Sequence, residues 1–138
     1  MKVRAEISAS PLSLPAESQI AVSSDGAVVV FAGVVRDSSD SAEVTALEYE
    51  SYEAMAVARM TEIGEEAAAR WGLGAVLLKH RTGRLEVGET SVIIAVSAPH
   101  RREAFEACMF CIDSLKTSAA IWKKELFADG TSRWAEGA

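Results

Sequence analysis

Residues 27–35, Ala27-Val28-Val29-Val30-Phe31-Ala32-Gly33-Val34-Val35, form the longest apolar run of the sequence and decide how the fold is interpreted. The run is rich in β-branched side chains, which pack well on a pleated surface, and therefore predicts a buried strand. Gly33 predicts a bulge or a close backbone approach within it. The run is much shorter than the ~20 residues of a membrane helix. We therefore expect a chain that does not span a membrane.

The segments on either side of this strand are shorter and more polar. Alternation of apolar and charged residues predicts a first strand over residues 3–7, and a short helix is expected between Pro15 and Val22. After Arg36, residues 37–43 have no apolar periodicity, which predicts a mobile loop. The next strand is expected over residues 44–52.

Two later segments change to helical spacing. Apolar residues predict a helix over residues 54–71, ended by Gly72 and Gly74. A second helix is expected to be capped by Ser97, to hold Pro99 in its first turn and to run toward Lys116. Its apolar stripe consists of Phe105, Cys108, Ile112 and Leu115.

Further strands are expected over residues 75–80, 84–87, 90–97 and 120–127. Two principal helices among about six short strands, without regular alternation of strand and helix, predict an α+β fold with a mainly antiparallel sheet. The length of 138 residues fits one domain, which we place over residues 1–138.

The charge distribution excludes some classes of function. The net charge of −6 argues against nucleic-acid binding through a basic surface. Residues 1–78 carry 5 basic and 12 acidic side chains, whereas residues 79–138 carry 9 and 8. The second half could therefore hold a local anion site, or its cations could simply be scattered in solvent. Charges at residues 2, 4 and 6 do not fit a signal peptide, so we expect a cytoplasmic protein.

Three groups of residues could carry chemistry. His100 and Arg101 stand at the expected start of the second helix, where the helix dipole already favours an anion. Lys116 borders the apolar stripe, where burial would lower the pKa of its ammonium group. Each pattern has an ordinary alternative, in which the arginines pair with nearby glutamates and the lysine extends into water. In the expected last strand, alternation sends Lys123 and Lys124 to opposite faces.

Cys108 and Cys111 form a C-x-x-C spacing in the middle of the second helix. A redox pair typically lies at a helix N-terminus, and a zinc site would need two more ligands. His80 and His100 are the only histidines, and they lack zinc-finger spacing. Buried thiols are the favoured interpretation, and no metal is expected.

Several segments stand in a fixed order between about Ile7 and Trp134. They are Gly26-Ala27-Val28-Val29-Val30-Phe31-Ala32-Gly33-Val34-Val35-Arg36, His80-Arg81-Thr82-Gly83, Val87-Gly88-Glu89, Ser97-Ala98-Pro99-His100-Arg101, Leu115-Lys116 and Trp122-Lys123-Lys124-Glu125. In this order the segments resemble the large, catalytic subunit of molybdopterin synthase, and the set is far more specific than any one member.

The resemblance implies a sulfurtransferase of molybdenum cofactor biosynthesis. Such proteins convert cyclic pyranopterin monophosphate to molybdopterin by installing a dithiolene. The sulfur comes from the C-terminal Gly-Gly thiocarboxylate of a small ubiquitin-like subunit. The resemblance also implies an α/β hammerhead-like fold and a homodimer of large subunits within a heterotetramer. No cofactor or metal is implied, because the thiocarboxylate arrives already activated.

Residue roles follow from the matching segments. Lys116 and Lys123 match the active-site lysines of the family, whereas Arg36, His100 and Arg101 match its substrate-pocket cations. Phe31 and Glu125 fall in matching stretches. From these matches we expect the five cations to converge in one water-poor cleft that holds two anions.

Two alternatives stay open at this point. A non-catalytic module could bind a ubiquitin-like tail or a small anionic ligand without forming product. A C-x-x-C metal or redox protein would contain zinc or a reversible disulfide.

Overall fold

The computed structural model describes residues 2–135, which form an α+β domain with two sheets and two long helices. The strands are β1 (Lys2–Ser8), β2 (Ala27–Val34), β3 (Ser38–Ser39), β4 (Ala42–Ser51), β5 (Ala75–Arg81), β6 (Gly83–Glu86), β7 (Thr90–Ala98), β8 (Ile121–Phe127) and β9 (Ser132–Ala135). The helices are α1 (Glu17–Ile20), α2 (Glu53–Trp71) and α3 (Arg101–Ser118). The predicted fold class is confirmed, with nine strands in the described residues where about six were expected.

The first sheet has the order β1-β5-β7-β2, and its pairs are antiparallel except for β1 with β5. The second sheet has the order β3-β4-β8-β9, and β6 pairs with β4 outside this order. Helix α2 packs on β1 and β5, and α3 packs on β7 and β2. One apolar core joins the inner faces of the two sheets to both helices.

Gly33 has the role that the sequence predicts. The pairing of β2 with β7 shifts register between Gly33 and Val34, which is a bulge. A Cβ atom at Gly33 would stand 2.6 Å from Cγ1 of Val92, so the close approach also excludes a side chain.

Four local predictions are corrected. The expected helix between Pro15 and Val22 contains only the four residues of α1. The expected loop over residues 37–43 contains β3, because Asp40 and Ser41 have positive φ and turn the chain back onto β4. The strand 120–127 is not the last, since β9 pairs with β8. Ser97 does not cap α3.

Ser97 lies within β7, and its hydroxyl donates a hydrogen bond to Oδ2 of Asp25 at 2.7 Å. The backbone N–H of Val22 donates to the same hydroxyl. Helix α3 begins at Arg101 instead. His100 is its N-cap residue, and the side chain of His100 makes no capping hydrogen bond. After the expected cap, Ala98 completes β7 and Pro99 belongs to the connection between β7 and α3. The helix therefore starts later than predicted.

Candidate active site

A cavity of about 190 Å³ lies between the two sheets, beside the C-terminal half of α3. Its cationic lining consists of Arg36, Lys116 and Lys123, and we call this cavity the basic cleft. The other polar lining residues include Tyr49, His80, Ser91 and Glu125. Apolar walls are provided by Phe31, Val44, Leu47, Ile112 and Leu115, among others.

Three different parts of the fold deliver the three cations. Arg36 follows the end of β2, Lys116 lies in the last turn of α3, and Lys123 points inward from β8. Strand alternation sends the neighbouring Lys124 outward, where its Nζ stands 5.9 Å from the centre of the Trp134 ring. The predicted separation of Lys123 from Lys124 is therefore confirmed.

Lys123 is the cleft lysine that the fold removes from water. Burial lowers the pKa of its ammonium group, and the positive charges of Lys116 and Arg36 lower it further. Glu125 opposes these effects with its negative charge. A lysine in this environment loses its proton more easily than one in water, so Lys123 suits proton transfer or nucleophilic chemistry.

Lys116 differs from its prediction. Its side chain is exposed, so the expected desolvation against the apolar stripe is wrong. The position is nonetheless at the cleft, next to the buried Leu115. Lys116 is thus suited to meet a ligand that enters from solvent.

Glu125 lies in β8, two residues after Lys123, and its carboxylate is buried, with the residue only 5% exposed. It accepts hydrogen bonds from Arg133, at 2.9 Å from Nη2 and 3.3 Å from Nε. Burial by itself raises the pKa of this carboxyl. Hydrogen bonds from Ser39 and Arg133 and the charges of Arg133 and Lys123 outweigh that effect, so the net pKa is lowered. Glu125 therefore stays ionised beside Lys123.

His80 is a cleft residue that the sequence did not assign to the site. It is the second-last residue of β5, is 1% exposed and meets the ring of Tyr49 edge-on, with 4.8 Å between ring centres. Burial lowers its pKa to about 4, although the carbonyl of Arg81 raises it and the charges of Lys116 and Lys123 lower it further. The signal available in the sequence was the segment His80-Arg81-Thr82-Gly83 at the end of an apolar strand.

His100 and Arg101 lie away from the basic cleft of their own chain. They stand at the N-terminus of α3, whereas Lys116 stands near its C-terminus. At 1.5 Å per residue, His100 and Lys116 are roughly 24 Å apart along the helix axis. The side chain of His100 is 82% exposed, with Nδ1 at 3.7 Å from Oε2 of Glu103. One chain therefore brings together three of the five predicted cations.

Most of the remaining basic residues of the second half have other partners. Arg81 pairs with Glu89 at 2.6 Å, and Arg84 pairs with Glu86 at 2.9 Å. Of the nine basic residues between positions 79 and 138, only Lys116 and Lys123 line the basic cleft. The anion site is thus more local than the charge count suggested.

The two cysteines are buried, as expected. Burial raises the pKa of Cys108 to about 11 and that of Cys111 to about 12, so both are protonated thiols near neutral pH.

Within residues 2–135 the structure contains no group of three or more His, Cys, Asp or Glu side chains that could hold a metal ion. None of the helices in this part of the chain is long and apolar enough to cross a membrane.

The chain is similar to proteins of one known family. Residues 7–118 match the family model described as MoaE protein. The chain belongs to the MoaE family. The "Molybdopterin synthase catalytic subunit" of Nostoc sp. is 45% identical over 130 residues, which cover 93% of this chain and 79% of the relative. The protein of that name from Pyrococcus abyssi is 43% identical over 118 residues, 86% of this chain and 79% of the relative.

Solved structures of MoaE relatives have the same fold. "Molybdopterin Synthase from Staphylococcus aureus" superimposes with a TM-score of 0.85 at 36% identity, covering 94% of both chains. A complex of subunits 1 and 2 of molybdopterin-converting factor from Helicobacter pylori matches with a TM-score of 0.67 at 26% identity, over 81% of this chain and 73% of that one. The family resemblance inferred from the sequence motifs is confirmed.

Proposed function

We propose that this chain is the catalytic subunit of a molybdopterin synthase, a sulfurtransferase that converts cyclic pyranopterin monophosphate to molybdopterin. The observation that carries the proposal is the meeting of Arg36, Lys116 and Lys123 in one cleft of a MoaE-family fold. Relatives at 43–48% identity are named molybdopterin synthase catalytic subunits, which supports an enzyme with this activity.

The cleft suits a reaction between two anions. A cyclic phosphate and a thiocarboxylate repel each other in water, and the three cations of the cleft offset that repulsion while they position both groups. We assign Lys116, at the exposed rim, to the incoming thiocarboxylate and its transfer. Lys123, with its lowered pKa, is assigned to proton transfer at the pterin, and Arg36 to the phosphate.

The sulfur donor in this proposal is a small ubiquitin-like subunit with a C-terminal Gly-Gly thiocarboxylate. The Helicobacter pylori relative forms a complex of subunits 1 and 2 of molybdopterin-converting factor, which supports a partner subunit for this chain. The cytoplasmic location expected from the sequence stays a prediction.

His100 and Arg101 take part in this proposal through a second copy of the chain. The backbone N–H of Gly26 donates to the carbonyls of Ala98 and Pro99, so the start of β2 lies beside the residues that precede His100. The end of β2 lies at the basic cleft, where Gly33 and Val34 belong to the lining. Strand β2 thus connects the two places that one chain keeps apart.

A homodimer formed along β2 would join these places. Among the described residues, β2 pairs only with β7, so its other edge is free. That edge carries no charge, and Val30 and Val34 are 37% and 54% exposed. An apolar free edge favours pairing with another strand. Antiparallel pairing of β2 with the same strand of a second copy would bring His100 of the partner subunit toward the basic cleft.

The activity test uses purified components. The chain is mixed with thiocarboxylated partner subunit and cyclic pyranopterin monophosphate, and dithiolene product is measured. We expect product from the wild type and a loss of about 100-fold or more for Lys116→Ala and Lys123→Ala. Activity that survives the loss of both lysines would refute the assigned mechanism. Partner binding without product from the wild type would favour the alternative of a non-catalytic binding module.

The contribution in trans has its own test. Lys116→Ala and His100→Ala chains, each inactive alone, are mixed and allowed to exchange subunits. A trans arrangement restores one intact site in each mixed dimer, which gives about a quarter of wild-type activity after random exchange. If His100 served the cleft of its own chain, mixing would restore no activity.

Val30→Lys is expected to yield a monomer by sedimentation, because it places a charge at the free edge of β2.

A further inference from the structure

The buried ring of His80 is held in one orientation. Its Nδ1 lies 2.7 Å from the carbonyl oxygen of Arg81, and Tyr49 stands at an angle of 69° to it. The backbone of Arg81 is itself anchored, because its guanidinium pairs with Glu89 at 2.6 Å. A ring that is 1% exposed and fixed on two sides has little freedom to turn or flip.

This geometry also fixes the tautomer. A carbonyl oxygen can only accept a hydrogen bond, so Nδ1 must carry the proton of the neutral ring. Nε2 then has a lone pair and no proton. It makes no hydrogen bond to any residue between 2 and 135, although His80 is part of the lining of the basic cleft.

The surroundings keep the ring neutral. Lys116 and Lys123 contribute positive charge from α3 and β8, and Tyr49 covers the ring from β4. Together with burial, the two lysine charges lower the pKa of His80 to about 4, against the smaller raising effect of its bond to the Arg81 carbonyl. Nε2 is therefore an acceptor at any pH near neutrality.

The other polar groups of the cleft do not duplicate this property. Arg36, Lys116 and Lys123 are donors, the Glu125 carboxylate is a charged acceptor that binds Arg133 through Oε1, and the hydroxyls of Tyr49 and Ser91 can donate as well as accept. The hydroxyl of Ser91 donates to the carbonyl of Gly33 at 3.3 Å. A ligand with both an anionic group and ring N–H groups would find many donors here for its anion, and a fixed neutral acceptor at His80.

We propose that Nε2 of His80 accepts a hydrogen bond from an N–H group of the pterin ring and thereby orients the substrate in the basic cleft. This inference rests on the proposed function, since it takes the pterin phosphate as the ligand. The cations select the phosphate and the thiocarboxylate by charge, while His80 selects the heterocycle by its N–H donor. His80 is thus a specificity-determining residue of the cleft.

Nitrogen NMR of the wild-type protein tests the proposal directly. The chain has two histidines, so ring-labelled protein gives two sets of signals, and His100→Gln identifies which set belongs to His80. We expect the Nδ1–H tautomer for His80 between pH 6 and 8. Anaerobic addition of cyclic pyranopterin monophosphate should then shift the Nε2 resonance in the direction of an accepted hydrogen bond. An Nε2–H tautomer or an imidazolium in this pH range would overturn the proposal.

The titration separates this inference from the proposed function. Binding that shifts other cleft signals and leaves Nε2 unchanged would contradict the role of His80 alone. Absence of any binding to the wild type would contradict the proposed function, and the role of His80 with it. An Nε2 shift that saturates together with the other cleft signals supports both.

Two substitutions supply an independent readout. Gln places its amide near the position of Nε2, whereas Asn keeps a donor near Nδ1 and removes the acceptor. We expect His80→Asn to weaken binding of the pterin phosphate by about 5- to 100-fold, the usual effect of leaving a buried donor without its partner. His80→Gln should lose clearly less. Equal losses in the two variants, each with wild-type thermal unfolding, would contradict the role of Nε2 as a hydrogen-bond acceptor for the substrate.

Discussion

The buried carboxylate of Glu125 is held by the guanidinium of Arg133, which donates to it from Nη2 at 2.9 Å and from Nε at 3.3 Å. This contact connects β9 to β8 beside the basic cleft, which Glu125 lines. The same guanidinium reaches Asp40 at 3.2 Å in the turn between β3 and β4. Arg133 therefore connects three segments of the second sheet around one buried charge.

Removal of this guanidinium should destabilise the fold. Arg133→Ala leaves the buried carboxylate of Glu125 without its main donors, a penalty of ~1–3 kcal/mol for a buried acceptor. Urea unfolding followed by circular dichroism measures the change. Arg84→Ala is the matched control, because its ion pair with Glu86 is exposed on both sides and should contribute little. Equal effects of the two variants would contradict the structural role of Arg133.

Adjacent lysines in β8 should behave differently. Lys123 faces the basic cleft and Lys124 faces away from it, so the pair separates a catalytic effect from a loss of surface charge. We expect Lys123→Ala to reduce product formation by about 100-fold or more and Lys124→Ala to retain near wild-type activity. A comparable loss in both would mean that general charge, rather than position, matters.

His80 should make the folded state sensitive to acid. Its pKa is about 4 in the fold, against an ordinary value of 6.5. Below about pH 6.5 the unfolded chain therefore binds a proton that the native state does not bind. The free energy of unfolding decreases as the pH is lowered from about 6.5 to about 4. Between pH 7.5 and 5 the loss is on the order of 2 kcal/mol.

The comparison is between the wild type and His80→Gln in urea unfolding at these two pH values. The stability of the variant should change less with pH, because the group that charges on unfolding is gone. Parallel losses in the two proteins would assign the pH dependence to other groups. Glu125 has a lowered pKa and contributes at more acidic pH, so the window above pH 5 isolates the histidine.

The two thiols should be inert. Burial raises the pKa of Cys108 to about 11 and of Cys111 to about 12, so neither supplies a thiolate at neutral pH. We expect no reaction with a thiol reagent until the protein unfolds. A Cys108→Ala, Cys111→Ala double variant that folds should keep its activity. Loss of sulfur transfer in a stably folded double variant would point to a shuttle through these residues.

The long periodic segments were predictable because their signals are local. Residues 54–71 have a helical apolar stripe, and the observed helix covers Glu53–Trp71. The run beginning at Ala27 became β2, with its bulge at Gly33. Short elements were less predictable. Strand β3 exists because residues 40 and 41 adopt positive φ, a conformation that their sequence does not require.

The site was predicted in part for the same reason. Motif order identified Arg36, Lys116 and Lys123, and the fold brings these three together. His80 was missed because its significance depends on Tyr49 and two lysines from other elements. His100 and Arg101 were expected in the same cleft, but the length of α3 separates them from it within one chain.

The sequence by itself determined the helices, the main strands, the family and the types of residue available for chemistry, since each is written in neighbouring residues or in their order. Only the tertiary structure decided which cations share a cleft, that Lys123 is half-buried while Lys116 is exposed, and that Nε2 of His80 makes no hydrogen bond within residues 2–135. Those properties depend on distance and on exclusion of water. Both arise when segments far apart in the chain pack against one another.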